Sequence, residues 1–254
     1  MPVPVELALL AGAGLVAGAL NAVAGGGSFL TLPVLIFLGL PPAVANATNR
    51  VGVLAQNLSG LWAFHRYGVL DWRSATLASL PAVAGAGLGA WAALRVSDLA
   101  FTRLLSFAML AITLWTIVGR RGARQGGSQP GSAPRRAAGV APATAFGFFL
   151  VGLYGGFIQA GVGFFVLAIT TAGGLDLVRG NAVKLAAVLL MTVLSLGIFA
   201  SVGAVDWPRG GALALGNALG GLIGVRLAVL KGHHWLEQIV MAAVVLFAIL
   251  LWAK

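Results

Sequence analysis

The chain contains no cysteine. Disulfides, thiolate nucleophiles and cysteine-based metal centres are thereby excluded. Charge is scarce too: 9% of the 254 residues are charged, and only six are acidic. A soluble domain carries roughly a quarter charged residues. So few charges cannot cover a water-facing surface. With 59% hydrophobic residues and a mean hydropathy of +0.98, the chain takes the bilayer as its solvent. The alternation of apolar and polar residues that marks a transmembrane barrel is missing. The expectation is an all-α polytopic membrane protein of the cytoplasmic (inner) membrane. Its candidate spans are Leu7–Ala24, Val51–Phe64, Ala75–Leu94, Leu104–Val118, Ala141–Gln159, Val183–Val205, Gly211–Leu230 and Ile239–Trp252.

Catalytic chemistry is also missing. No Ser/His/Asp set, P-loop or paired carboxylate emerges, so neither an enzyme nor an ATP-driven pump is expected, and no cofactor. His233-His234, with Lys231 and Glu237, read as a solvated loop rather than a metal site. Ala22-Val23-Ala24 resembles a signal-peptidase site, but Met1–Leu10 holds Glu6 and no basic residue, which is the wrong leader chemistry.

What is present is a text written twice. AGGGSF (Ala24–Phe29) is followed by Gly39, NATNRV (Asn46–Val51) and VLDW (Val69–Trp72). AGVGFF (Ala160–Phe165) is followed by Gly174, NAVKLA (Asn181–Ala186) and AVDW (Ala204–Trp207). The offset is 136 at the glycines and 135 at the Asn and Asp-Trp landmarks. Such duplication is a building plan of secondary transporters. The organisation read from it is a first transmembrane repeat (1–119), a basic linker (120–139) and a second repeat (140–254). The linker has five Arg, no acid, and much Gly, Ser and Pro. By the positive-inside rule it is cytoplasmic, and it accounts for much of the net charge of +10 without nucleic acid as a partner.

Each half opens with a glycine-broken segment followed by three helices. The first broken segment, roughly 6–39, would make about 50 Å of straight helix, against a hydrocarbon core of about 30 Å. It must bend or fold back at Gly25, Gly26 and Gly27. The break starts a half-helix at Ser28, a candidate N-cap. Its free N–H groups and positive dipole end suit an anion. Gly161 and Gly163 supply the matching set in the second copy.

Polar residues punctuate the apolar spans near these breaks. Asn46, Thr48, Asn49 and Arg50 open the helix after the first half-helix. Asn181 and Lys184 hold the parallel place in the second, with Lys184 aligned on Asn49. Asn21 and Gln159 precede the two breaks. Intramembrane ionisable residues are costly and point to function, although a lysine or arginine also snorkels to an interface. The substrate-binding set expected is Asn21, Gly25, Gly26, Gly27, Ser28, Asn46, Thr48, Asn49, Gln159, Gly161, Gly163, Asn181 and Lys184. Arg50, Gln56, Asn57, Asn217 and Arg226 are candidates for gate or lining.

At these motifs the chain resembles the TauE/SafE family of membrane permeases, the sulfite exporter family. The resemblance rests on NAVAGGGSFLTLP (Asn21–Pro33), GLPPAVANATNRV (Gly39–Val51), QAGVGFF (Gln159–Phe165) and RGNAVK (Arg179–Lys184), and covers essentially the whole chain. It implies about eight spans and transport of small sulfur-containing or organic anions, such as sulfite or sulfonates, without ATP. The function expected is therefore secondary transport by alternating access. The lipid bilayer and a small anionic solute are the partners, and homo-oligomerisation is left open. The alternatives are a permease or channel for another solute and a non-transport assembly factor.

The direction of the chain is left open as well. If each broken segment crosses once, the repeats are parallel and the termini share the linker's side. If it folds back, the repeats are inverted and the termini lie opposite. Both arrangements distribute the basic residues equally.

Overall fold

A computed structural model describes residues 2–23, 25–69, 72–125 and 142–230. The expected span at Ile239–Trp252, the histidine pair and most of the basic linker lie outside the described residues. Among those described there are nine helices and no strand. They are α1 (Val3–Val23), α2 (Ser28–Phe37), α3 (Pro42–Arg66), α4 (Trp72–Ala93), α5 (Asp98–Gln125), α6 (Pro142–Phe157), α7 (Val162–Ala172), α8 (Leu177–Ser201) and α9 (Trp207–Leu230). Helix is the only open-ended way to pair every backbone group in lipid. By length and composition, Val3–Ala22, Leu177–Ser201 and Trp207–Val229 are apolar enough to cross a membrane. α3 is equally long but less apolar, because the polar run from Asn46 to Arg50 and the Gln56-Asn57 pair lie on it. The last helix of the first half reaches Gln125, so the Arg-rich segment begins as helix.

The two short helices are the two expected half-helices. Ser28–Phe37 and Val162–Ala172 have 10 and 11 residues, about 15 Å each at 1.5 Å per residue. Both fold back. A methyl on Gly155 would meet Val162, and one on Gly147 would meet Ile169, so α7 runs antiparallel to α6. Gly27 abuts Ala17 and Asn21 near the end of α1. The far end of α2, at Ile36 and Leu40, shares a buried cluster with Leu7 and Leu10 near the start of α1.

Close approach of small residues sets the remaining directions. Gly216, Gly220 and Gly224 on α9 meet Ala11, Leu15 and Ala19 on α1 in that order, so these helices are parallel. Gly210 meets Val51 and Gly221 meets Gln56, so α3 is parallel to α9 as well. Gly152 meets Ala82 and Gly156 meets Ala86, which makes α4 parallel to α6. Arg50 lies over Phe199 and Gly60 meets Leu185, which makes α3 antiparallel to α8. Glycines spaced by four let backbones touch where dispersion, not hydrophobicity, drives association. The outward faces carry Leu58, Trp62, Leu88, Phe107, Val193 and Leu219, all more than half exposed, as a lipid-facing surface requires.

The start of α3 meets the start of α5 through Ala43 N–H and Asp98. α5 therefore rises away from the end of the bundle at which α1 begins. Single cysteines at Val3 and Ala143, in the first turn of α6 at the far end, in this cysteine-free chain should react with a membrane-impermeant thiol reagent from opposite faces of the membrane. Labelling from one face would contradict the folded-back hairpins.

Candidate functional site

Each break is built by glycine. Gly25 has φ +94° and Gly161 has φ +75°, left-handed values that side chains resist. The Gly25 N–H closes the end of α1 on Leu20 O at 3.3 Å, as glycine at a helix end does. At the start of α2, Phe29 N–H donates to Gly26 O and Leu30 N–H to Gly27 O, both at 3.0 Å. Ser28 was the expected cap, but Gly27 takes the N-cap position and no side chain caps the helix. Ser28 is already the first helical residue. Gly161 likewise precedes α7 without a side-chain cap. Both half-helices thus begin with N–H groups that lack intrahelical partners.

The two breaks touch. A methyl on Gly25 would lie 2.7 Å from the carbonyl carbon of Gly163, and one on Gly163 would lie 2.7 Å from the Gly25 Cα. Phe29 stacks on Phe164 with centroids 6.4 Å apart, and its ring fills the space beside Gly161. Gly25, Gly26, Gly27, Ser28, Gly161 and Gly163 are all buried. Two helix N-termini therefore approach one junction inside the protein from opposite directions.

Two buried cations tie the breaks across the molecule. Lys184 on α8 donates from Nζ to Asn21 O at 2.8 Å, Ala22 O at 3.4 Å and Asn181 Oδ1 at 2.6 Å. It holds the carbonyl end of α1. Arg50 on α3 donates from Nη1 to Gly155 O at 3.2 Å and Gln159 Oε1 at 2.5 Å, and from Nη2 to Gly156 O at 2.6 Å. It holds the carbonyl end of α6. A cation at a helix C-terminus meets the negative end of the dipole. By position it is thus Arg50, not Asn49, that does for one break what Lys184 does for the other. Among the described residues neither cation has an acidic partner. Among the described residues the ion pairs are Arg179–Asp176, Arg209–Glu6 and Arg209–Asp206.

The amides complete the junction. Asn46 donates from Nδ2 to Phe157 O at 2.9 Å and accepts the Gln159 N–H at 3.3 Å, spanning the second break. Gln159 Nε2 donates to Thr192 Oγ1 at 3.0 Å. On the other stripe of α3, seven residues apart and so on one face, Asn49 Oδ1 accepts from Thr31 Oγ1 at 2.6 Å. Gln56 Oε1 accepts from Asn21 Nδ2 at 2.7 Å. This stripe flanks the first break. Among the described residues four buried side-chain polar atoms are left without partners: Asn49 Nδ2, Arg50 Nε, Gln56 Nε2 and Asn57 Oδ1. Three of the four are N–H donors. An unmade hydrogen bond costs about 1–3 kcal/mol, so each of these atoms calls for a partner such as an ordered water or a solute.

Not every expected residue joins the junction. Thr48 Oγ1 accepts the Asp206 N–H at 3.0 Å, tying α3 to the α8–α9 loop. Asn217 is buried against Gly14, Gly18 and Gly52, where α9 packs on α1 and α3, and its Nδ2 donates to Leu213 O. Arg226 is exposed on α9. Conversely, Thr31, Thr192 and the Phe29–Phe164 stack belong to the junction without having been singled out. Thr31 had a signal, since it follows the glycines by one turn; Thr192 had none.

A polar junction of interrupted helices within an apolar bundle is a recurring arrangement of membrane transporters. The chain belongs to the sulfite exporter TauE/SafE family, whose model matches residues 10–251. It is similar to the "Probable membrane transporter protein ORF9" of Sinorhizobium sp, 29% identical over 97% of this chain and 92% of the relative. It is similar also to the "Probable membrane transporter protein YfcA" of Escherichia coli K12, 29% identical over 98% and 91%. A third relative, from Haemophilus influenzae, is 27% identical over 92% and 89%. No solved structure matches the chain.

Gly163→Ala should force the two breaks apart and lower stability in detergent by about 1–3 kcal/mol, as overpacking does. Gly197→Ala on α8, where a methyl meets nothing within 4 Å, should be neutral or stabilising by up to about 1 kcal/mol. Thermal unfolding of both variants checks this, and equal effects would contradict the contact.

Proposed function

We propose that the protein is a secondary transporter of small sulfur-containing or organic anions in the cytoplasmic membrane, working by alternating access at the junction of the two breaks. The observation that carries this reading is the electrostatic imbalance of the junction. Two helix N-termini, two buried cations and three unpaired N–H donors converge there, with no carboxylate among their hydrogen-bond partners. An anion cancels that imbalance, whereas a metal cation adds to it. Its oxygens would take N–H groups of Gly27 and Ser28, with Asn49 and Gln56 beside them.

The same geometry supports reading the chain as two inverted repeats. Packing of α1 on α9 and of α4 on α6 is one contact made twice if the halves are related by a two-fold axis in the membrane plane. So is the packing of α3 on α9 and of α8 on α4. In that scheme α3 and α8 are each other's mates and must run antiparallel, as they do. The Arg-rich linker then faces the cytoplasm and the beginning of α1 faces the opposite side. Rocking of one hairpin against the other about Gly25 and Gly163 would expose the junction to each side in turn.

A flux assay in proteoliposomes tests this, with sulfite, thiosulfate, sulfoacetate, methanesulfonate and chloride as probes. Saturable movement of one or more of the oxyanions is expected. Asn49→Leu should reduce it about tenfold, the worth of one charge-assisted hydrogen bond, and Gly26→Leu should abolish it. Normal flux in both variants would sink the site, and movement of cations alone would sink the anion reading.

A further inference from the structure

The two breaks are held by chemically different cations. Arg50 holds the second break, and a guanidinium keeps its proton throughout. Lys184 holds the first, and an ammonium can give its proton up. The three acceptors around Lys184 Nζ, namely Asn21 O, Ala22 O and Asn181 Oδ1, match the three donors of an ammonium. A neutral amine has two donors and a lone pair. It would turn that lone pair on one of these oxygens, and one of the three contacts would be lost. The hold on the end of α1 therefore depends on a proton, whereas the hold on α6 does not.

Place and surroundings agree with this. The Lys184 stem lies against the junction, its Cδ 3.2 Å from where a Gly163 methyl would sit. The second break is further fixed by Asn46, Gln159 and Thr192. Beside the first break Gln56 Oε1 accepts from Asn21 and Asn49 Oδ1 accepts from Thr31, while Asn49 Nδ2 and Gln56 Nε2 have no partner. Charged or titratable groups on the helices packed against α8 are Glu6 on α1, Arg50, His65 and Arg66 on α3, Arg73 on α4 and Tyr154 on α6, with Arg179 on α8 itself; α7 has none. Hydrogen bonds bring none of them to Lys184 Nζ.

We propose that Lys184 is the coupling group of the transporter, binding a proton together with the anion and releasing both on the same side. This rests on the reading of the chain as an anion carrier. In the loaded state the ammonium balances the anion and holds α1. On release the anion departs, R–NH3+ passes H+ to water to give H3O+, and the amine keeps its electron pair. The first hairpin then loosens while the second stays fixed. For a monovalent anion the transported pair is electroneutral, and a pH gradient drives it.

Two measurements test the proposal. The first needs no substrate: amide hydrogen exchange of the full chain across the pH range in which it stays folded, corrected for the intrinsic chemical rate. Protection at residues 20–31 should fall by about fivefold or more as pH rises, while protection at residues 155–165 stays level. Lys184→Arg should flatten the first profile. Equal profiles at the two breaks in the unsubstituted protein would overturn the proposal whatever the variant does. The second uses methanesulfonate, a permanent monoanion that cannot itself ferry the proton. Its steady-state accumulation ratio in liposomes should follow an imposed pH gradient with Lys184 present. With Lys184→Arg it should become independent of the gradient, however slow the approach. A ratio that still follows the gradient in the variant would also overturn it. If no oxyanion moves with the unsubstituted chain, the anion reading fails, and hydrogen exchange alone decides the role of Lys184.

Discussion

Breaking a helix inside a membrane leaves carbonyls without partners at one side of the gap and N–H groups at the other, and lipid satisfies neither. The whole arrangement of this bundle follows from how those groups are met. The carbonyl ends of α1 and α6 are taken by Lys184 and Arg50, each reaching from the opposite half of the chain. The N–H ends of α2 and α7 receive no side-chain cap and turn toward each other across Gly25 and Gly163. Basic side chains are used where oxygen is in excess. The opposite ends are left electropositive, buried inside the protein.

That division explains the uneven distribution of polarity. α3 is less apolar than α1, α8 and α9, the long helices it packs with, because it serves both breaks. One stripe, Asn49 and Gln56, lies along the first hairpin; the other, Asn46 and Arg50, lies along the second. α8, which runs antiparallel to α3, brings Lys184 with Asn181 to the first break and Thr192 to the second. The remainder of its buried face is Val183, Ala187, Val188 and Met191. A helix that spends its hydrophobicity on polar contacts must be shielded from lipid. α3 is shielded by small residues, with Gly52, Gly210 and Gly221 letting α9 close over it.

Much of this was legible in the residues themselves. Contiguous glycines in an apolar run, and the roughly 30 Å limit of the bilayer, placed the first half-helix at its start, Ser28, and the second at the Gly161–Gly163 break; where the second ends was not legible. The family resemblance pointed to the same segments. What could not be read was partnership. Asn46 bonds Phe157 and Lys184 bonds Asn21, more than a hundred residues away, and no local pattern encodes such pairs. The alignment of the halves at a 135 offset set Lys184 beside Asn49, because the register is carried by Asn46 and Asn181. The carbonyl ends of α1 and α6 fall a residue differently against it, and side-chain reach absorbs the slip. Direction was equally hidden. Charge counts were balanced, and only the order in which glycines on one helix meet alanines on the next decides it.

An arginine at one break and a lysine at the other are easily taken as interchangeable. In a low-dielectric junction they are not, since one group can change its charge and the other cannot. The environments differ to match. Arg50 sits under the Phe199 ring, 4.9 Å from its centroid, with two nitrogens spread over two carbonyls and an amide, a fit that a lysine could not reproduce. Lys184 meets its three oxygens at a single atom, so the loss of one proton is felt by the whole helix end. A carrier needs one part of its site to stay put while another yields. In the carrier proposed above, the yielding part is the hairpin whose carbonyl end is held by the Lys184 nitrogen, beside the neutral Asn21–Gln56 and Thr31–Asn49 bonds, and the fixed part is the one held by Arg50, Asn46 and Gln159.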